Sequence, residues 1–249
     1  METRISPSII MRIKEFGESD LIVTFFTRDH GRVTGIAKGA RKSRRRFSNS
    51  LDLFCLSNVE YEIKSNRDLH LLHSSKLIKT FPGLRSNFST LSLASYMIEL
   101  TEIIFPHNVV EQRMFDLLKE SFDLLSSGER IDCMRIFFEA KAMSLGGYAI
   151  NLDKCCDCGR KYSGAGRAVF KPNRGGISCL NCEKESKYSK CLEPDTVNKL
   201  RMLQSEEVNS RIENFELSKK LIDELKPVLK LHIDYHIGRK LKSAEYLEW

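Results

Sequence analysis

The sequence predicts an α+β protein of several modules: a small N-terminal antiparallel barrel or sandwich, then a helical body carrying a cysteine-rich insertion of the zinc-ribbon type. Three observations point there. Short strand-like runs fill residues 1–80, helical periodicity takes over after residue 81, and eight cysteines include two C-x-x-C pairs. A chain of 249 residues can bury one large core or two to three small ones.

The strands come first. "SIIMRIKEF" alternates through Ile9, Met11 and Ile13, and "DLIVTFFT" is dense in β-branched and aromatic residues. "DHG" is a turn signal, followed by "RVTGIAKG". "LDLFCLSNVEYEIKSN" alternates through Val59, Tyr61 and Ile63 and meets a polar turn at Ser65–Asp68; "LHLLHSSKLIKTF" is a further strand leading out of the module. About five short strands without a helical pattern describe a small all-β unit.

The helices follow. Leu91, Leu93, Tyr96, Met97, Leu100, Ile103 and Ile104 have helical spacing, which Pro106 ends. Met114 to Leu125 forms a second stripe closed by "SSG", and Ile131 to Leu145 a third closed by Gly146 and Gly147. These stripes are core packing between helices. Residues 151–192 are rich in Cys, Gly and Lys without periodicity; helical spacing returns from Pro194, and Pro227 begins or kinks a final helix. The changes of pattern divide the chain into residues 1–80, 81–150, 151–192 and 193–249.

The insertion carries the strongest chemical signal. Cys155-x-x-Cys158 and Cys179-x-x-Cys182 can each aim two sulfurs at one ion, and two such knuckles complete a tetrahedral site that suits Zn²⁺. "GRAVFKPNRGGISC" between them reads as a hairpin. Cys156 and Cys191 are alternative ligands; Cys55 and Cys133 read as buried thiols. Two pairs at this spacing argue against a thioredoxin-like redox motif and favour zinc over an iron–sulfur cluster. Four cysteines close the site, so the ion is structural rather than catalytic. The zinc-deaminase pattern is absent. His232 and His236 share a helical face but lack the glutamate of a metalloprotease, and read as residues of a partly exposed helix. "GARKS" and "SGAGRA" match no nucleotide-binding pattern, and no triad or carboxylate pair can be nominated from the sequence.

Charge is local. Residues 1–80 hold 15 Lys and Arg against 9 Asp and Glu, whereas the remainder is nearly balanced at 25 against 24. The excess centres on "IAKGARKSRRRFSNS", with Lys38, Arg41, Lys42, Arg44, Arg45 and Arg46 between the third and fourth strands. Arg28, Arg32 and Phe47 keep it company. A solvated loop is the plain alternative. A rigid barrel with a basic groove and exposed rings instead suits single strands, whose phosphates need cations and whose bases need π-faces. With about five phosphate contacts, raising salt from about 50 to about 200 mM should weaken binding on the order of 100-fold. The N-terminus lacks a secretory h-region and no apolar run is long enough to span a bilayer, so the expected location is the cytoplasm.

"FGESDLIVTFFTRDHGRVTGIAKGARKSRRRF", "SLGGYAINLDKCCDCG" with "GGISCLNC", and the weaker "HIGRKLKS" resemble, in order, the bacterial RecO recombination mediators across nearly the whole chain. The resemblance implies an OB-fold barrel at residues 1–80, a helical domain at 81–150 and 193–249, and a four-cysteine zinc-ribbon insertion at 151–192. It implies a non-catalytic protein of DNA repair, associated with the bacterial nucleoid, that binds single- and double-stranded DNA and anneals complementary strands. With RecR it would load RecA onto DNA coated by SSB, whose acidic C-terminal tail it would bind. It assigns one structural Zn²⁺ to Cys155, Cys158, Cys179 and Cys182, and DNA to Arg28, Arg32, Lys38, Arg41, Lys42, Arg44, Arg45 and Arg46. Some members lack the cysteines, so zinc would serve the fold. Ile150 stands where the family often has proline, which implies a local loop difference. The residues alone leave two rivals: a zinc-ribbon factor of transcription or translation, and a zinc-dependent nuclease.

Overall fold

The computed structural model describes residues 2–63, 69–128, 131–186, 189–205 and 216–247. The turn expected at Ser65–Asp68 lies outside them, as does part of the C-terminal helical segment at 206–215. The chain forms two compact units, Met1–Glu129 with Tyr246–Trp249, and Arg130–Glu245.

The first unit is built on five strands: β1 (Glu2–Phe16), β2 (Asp20–Thr27), β3 (Gly31–Ala37), β4 (Leu56–Ile63) and β5 (Leu69–Lys79). They close into a barrel in the order β1-β2-β3-β5-β4, with β3 and β5 parallel and every other pair antiparallel. Closure removes the exposed edges that an open sheet would present. Ile10, Val23, Phe25, Val33, Ala37, Val59, Tyr61 and Leu72 form the interior.

One-sided alternation, expected along β1, is not what β1 shows. Ile9, Ile10 and Met11 are all buried, and the register shifts between Ile10 and Arg12. A bulge adds a residue and re-aims its neighbours, and part of the outer face is covered too. The cover includes α1 (Phe88–Ile104) and α2 (Gln112–Ser126). Phe26 meets Phe105 edge-on at 6.1 Å, and Phe54 and Phe81 meet Phe122 at 5.5 and 5.6 Å. Asn87 caps α1 by accepting the Thr90 N–H at 2.9 Å. The first two helices therefore share a unit with the barrel.

The second unit holds α3 (Ile131–Leu145), a small sheet and two more helices. Strands β6 (Asn151–Cys155), β7 (Ala168–Lys171), β8 (Gly176–Cys179) and β9 (Lys190–Leu192) pair in the order β6-β8-β7-β9. Helix α4 (Pro194–Gln204) and α5 (Lys219–Ile237) follow; Pro227 lies inside α5. Helix α3 is buried well beyond one stripe, at Met134, Phe137, Phe138, Ala140 and Met143 and also at the ion-paired Arg135 and Glu139, 2.9 Å apart. The Ile150 N–H donates to Gln204 Oε1 at 2.8 Å, a bond that proline could not make.

His232 corrects the expectation of a partly exposed helix: its side chain is buried, and its Nε2–H donates to the Tyr148 carbonyl at 2.6 Å. Burial, more than the neighbouring His236, pushes its pKa from 6.5 down to about 4. The folded state thus refuses a proton that the unfolded chain accepts near pH 6.5, and stability falls as pH drops from 6.5 towards 4. The full loss is about 3 kcal/mol. The stability gap between wild type and His232→Gln, measured by denaturant unfolding, should shrink across that window. A gap constant with pH contradicts this account.

Candidate nucleic-acid interface and metal centre

The basic segment leaves β3 and is pinned to the barrel at several points. Ala40, Phe47, Leu51 and Cys55 belong to the barrel's core cluster. The Ser75 N–H on β5 donates to the Arg46 carbonyl at 2.7 Å, and Ser50 Oγ donates to the Ser75 carbonyl at 2.9 Å. At its start, the Gly39 N–H donates to Asp20 Oδ1 at 2.8 Å and the Arg41 N–H to the Ser19 carbonyl at 3.0 Å. A short 3₁₀ turn, Ala40–Lys42, follows Gly39, whose φ of 66° is the left-handed conformation that glycine tolerates. This is a loop on a rigid body. Phe47 is not the exposed ring that the sequence suggested: it is 4% exposed and anchors the loop.

The eight nominated cations divide. Lys38, Lys42, Arg44 and Arg45 are exposed, and no side-chain partner is found for them among the described residues. Arg46 places its guanidinium 5.1 Å from the centre of the Phe47 ring and donates to the Lys38 carbonyl at 2.7 Å. Arg41 pairs with Glu15 at 3.1 Å. Arg28 faces Asp116 at 3.8 Å. Arg32 is half-buried and donates to the Glu102 carbonyl at 2.8 Å. Four cations thus face water freely, and four also hold structure. Lys14 and Phe16, near the end of β1, are exposed as well and were not nominated from the sequence.

In the second unit, Cys155 ends β6 and Cys179 ends β8. The Gly159 N–H donates to the Cys155 carbonyl and the Cys182 N–H to the Cys179 carbonyl, both at 3.0 Å, so each C-x-x-C closes a tight turn. Gly159 has a φ of 72°, which the turn requires. The hairpin between the pairs is β7 with β8. The sulfurs of Cys155, Cys158, Cys179 and Cys182 all lie within 4.8 Å of one another, and Cys158 and Cys179 are 3.9 Å apart. Tetrahedral bonds of about 2.3 Å would set sulfurs roughly 3.8 Å apart, so the four fit a small thiophilic ion. Cys156 and Cys191 are outside the cluster.

The electrostatics agree with that fit. Burial opposes ionisation of Cys155, but the N–H groups of Cys158 and Cys179 and the Ser178 hydroxyl outweigh it and bring its pKa to about 5. The Cys182 N–H lowers Cys179. Cys182 is pushed up to about 12, first by its hydrogen bonds with the Cys158 and Cys179 sulfurs. Four sulfurs this close cannot all ionise without a cation among them.

Comparison with known proteins divides the chain where the barrel ends, ahead of the boundary between the two compact units. Residues 1–81 match the family model described as Recombination protein O N terminal, and residues 85–245 match Recombination protein O C terminal. The chain is similar to the DNA repair protein RecO of Syntrophus aciditrophicus, at 32% identity over 99% of this chain and 95% of that protein. It is also similar to those of Geobacter metallireducens, at 34% identity over 73% of each chain, and Geobacter sulfurreducens, at 30% over 96% and 95%. Among the described residues, no helix is long and apolar enough to cross a membrane.

Proposed function

The chain belongs to the Recombination protein O family of DNA repair proteins, and from that premise we propose that it binds single- and double-stranded DNA through the loop after β3 and anneals complementary strands. The observation that carries this reading is the set of Lys38, Lys42, Arg44 and Arg45, exposed on a loop pinned to a closed barrel. Fixed cations lower the repulsion between two phosphate backbones and concentrate them locally; base pairing then supplies the driving force. No bond is made or broken, and the protein acts as a mediator rather than a catalyst.

Its partners are RecR and the acidic C-terminal tail of SSB, and the outcome is the loading of RecA onto SSB-coated strands in the cytoplasm, at the nucleoid. Cys155, Cys158, Cys179 and Cys182 hold one Zn²⁺, which cross-links β6 to β8 and stabilises the second unit. Arg28, Arg32, Arg41 and Arg46 contribute to the potential over the barrel while holding the loop and its surroundings in place.

Two assays test the reading together. The protein should accelerate annealing of complementary oligonucleotides, and it should bind a peptide of the SSB tail that a generic zinc-ribbon factor would ignore. Absence of annealing at low salt, or strand cleavage in its place, contradicts the proposal.

A further inference from the structure

We propose that Phe16 is a stacking platform for an unpaired nucleic-acid base, on the open half of the outer face of β1, β2 and β3. This rests on the DNA-binding reading above and names the contact that tells single strands from duplex.

The face follows from register. Leu21, Val23, Phe25, Val33 and Ala37 pack into the barrel interior, so the alternate residues of β2 and β3 point outwards. Paired residues share a face, and beyond the row of Ile9, Phe26 and Arg32 this gives three more. Arg12, Thr24 and Thr34 form the first, and the two threonine hydroxyls lie 3.0 Å apart. Lys14, Ile22 and Ile36 form the second. Phe16 and Asp20 form the third, with Lys38 just past the end of β3.

The rows are covered unequally. At the Arg12 end, Glu102 of α1 pairs with Arg12, and its carbonyl accepts from Arg32 at 2.8 Å. Beside them, a Cβ on Gly31 would lie 2.0 Å from the Val109 carbonyl oxygen, so the chain after α1 lies against that end. At the other end nothing comparable is found among the described residues. Phe16 is 52% exposed, Ile22 and Ile36 are half-buried, and Lys14 and Lys38 are exposed.

A single exposed ring needs no explanation. This ring lies one row beyond Ile22 and Ile36 on the outside of a barrel, where alternation calls for polar residues, and Lys14 and Lys38 stand in the same two rows. Its position is held: Asp20, its partner across the β1–β2 pair, accepts the Gly39 N–H, and Arg41 ties the basic loop to Glu15 next to it. Asp20 opposite the ring is engaged by the Gly39 N–H and Glu15 beside it by Arg41, so the cations left open are Lys14, Lys38 and those of the loop, and a ligand complementary to them and to the ring carries negative charge and flat apolar faces. Single-stranded nucleic acid has both, whereas a duplex hides its base faces in its own stack.

Fluorescence anisotropy on wild type, Phe16→Ala and Phe16→Tyr tests this with three probes: an oligo-dT, an oligomer of equal length made of abasic sites, and a duplex. Phe16→Ala should weaken oligo-dT binding about tenfold, the effect of one base–ring stack. It should leave abasic and duplex binding unchanged and keep the same dependence on salt, and Phe16→Tyr should bind like wild type. Equal weakening on all three probes, or no weakening on oligo-dT, overturns the proposal. Wild type failing to bind any probe at low salt would instead overturn the DNA-binding reading itself, and this inference with it.

Discussion

Cys158→Ser should abolish the zinc binding proposed for the four-cysteine cluster and lower the melting temperature of the second unit on the order of 10 °C or more. The site joins two turns 21 residues apart in sequence, at Cys158 and Cys179, and the sheet it braces is short: β7 and β8 have four residues each and β9 three. Strands of that length supply little stability by themselves. Structural zinc contributes about 10–16 kcal/mol to zinc-finger peptides that are unfolded without it. Here the buried α3, packed with α4 and α5, supplies a core of its own, so the expected loss is smaller, about 3–5 kcal/mol. Cys156→Ser is the internal control, since Cys156 stands outside the cluster and should keep both zinc and stability. Single-strand affinity should change little in Cys158→Ser, because the loop cations belong to the first unit. A protein that melts at the same temperature with and without a strong chelator contradicts the structural role of the ion.

The second large effect is on DNA. Lys42→Ala, Arg44→Ala and Arg45→Ala combined should weaken single-strand binding about 100-fold at roughly 0.1 M salt, as three lost phosphate contacts require. The fold should survive, because none of the three side chains has a partner among the described residues. Arg46 is a poor member of such a set: its guanidinium packs over Phe47 and donates to the Lys38 carbonyl, so Arg46→Ala would disturb the loop as well as remove a charge. Annealing should fall with affinity, since the same surface must hold both strands.

Much of this was legible in the sequence for definite physical reasons. Strand alternation and a period change near "FPG" separated barrel from helices because inward and outward positions see different solvents. The four-cysteine cluster was legible because a tetrahedral site with C-x-x-C knuckles leaves few spacings open. Three things were not. Phe47 sits among cations, and only closure of the barrel shows that its ring fills the interior. His232 and the Arg135–Glu139 pair look solvent-facing in a periodicity count, yet they are buried because α3 and α5 are enclosed beyond their apolar stripes. Phe16 read as one more apolar residue of a strand; its exposure depends on which half of the outer face the α1 segment covers, a tertiary fact that no local pattern carries.

The central claim is that the pinned loop after β3 is where phosphates bind, and the slope of log affinity against log salt tests it most directly. For single-stranded DNA each phosphate contact contributes about −0.7 to that slope. Wild type and the Lys42, Arg44, Arg45 alanine variant should give straight lines that differ by about 2 in slope, the variant being shallower. Parallel lines, with the variant merely offset or unchanged, would show that these three cations touch no phosphate and would contradict the account.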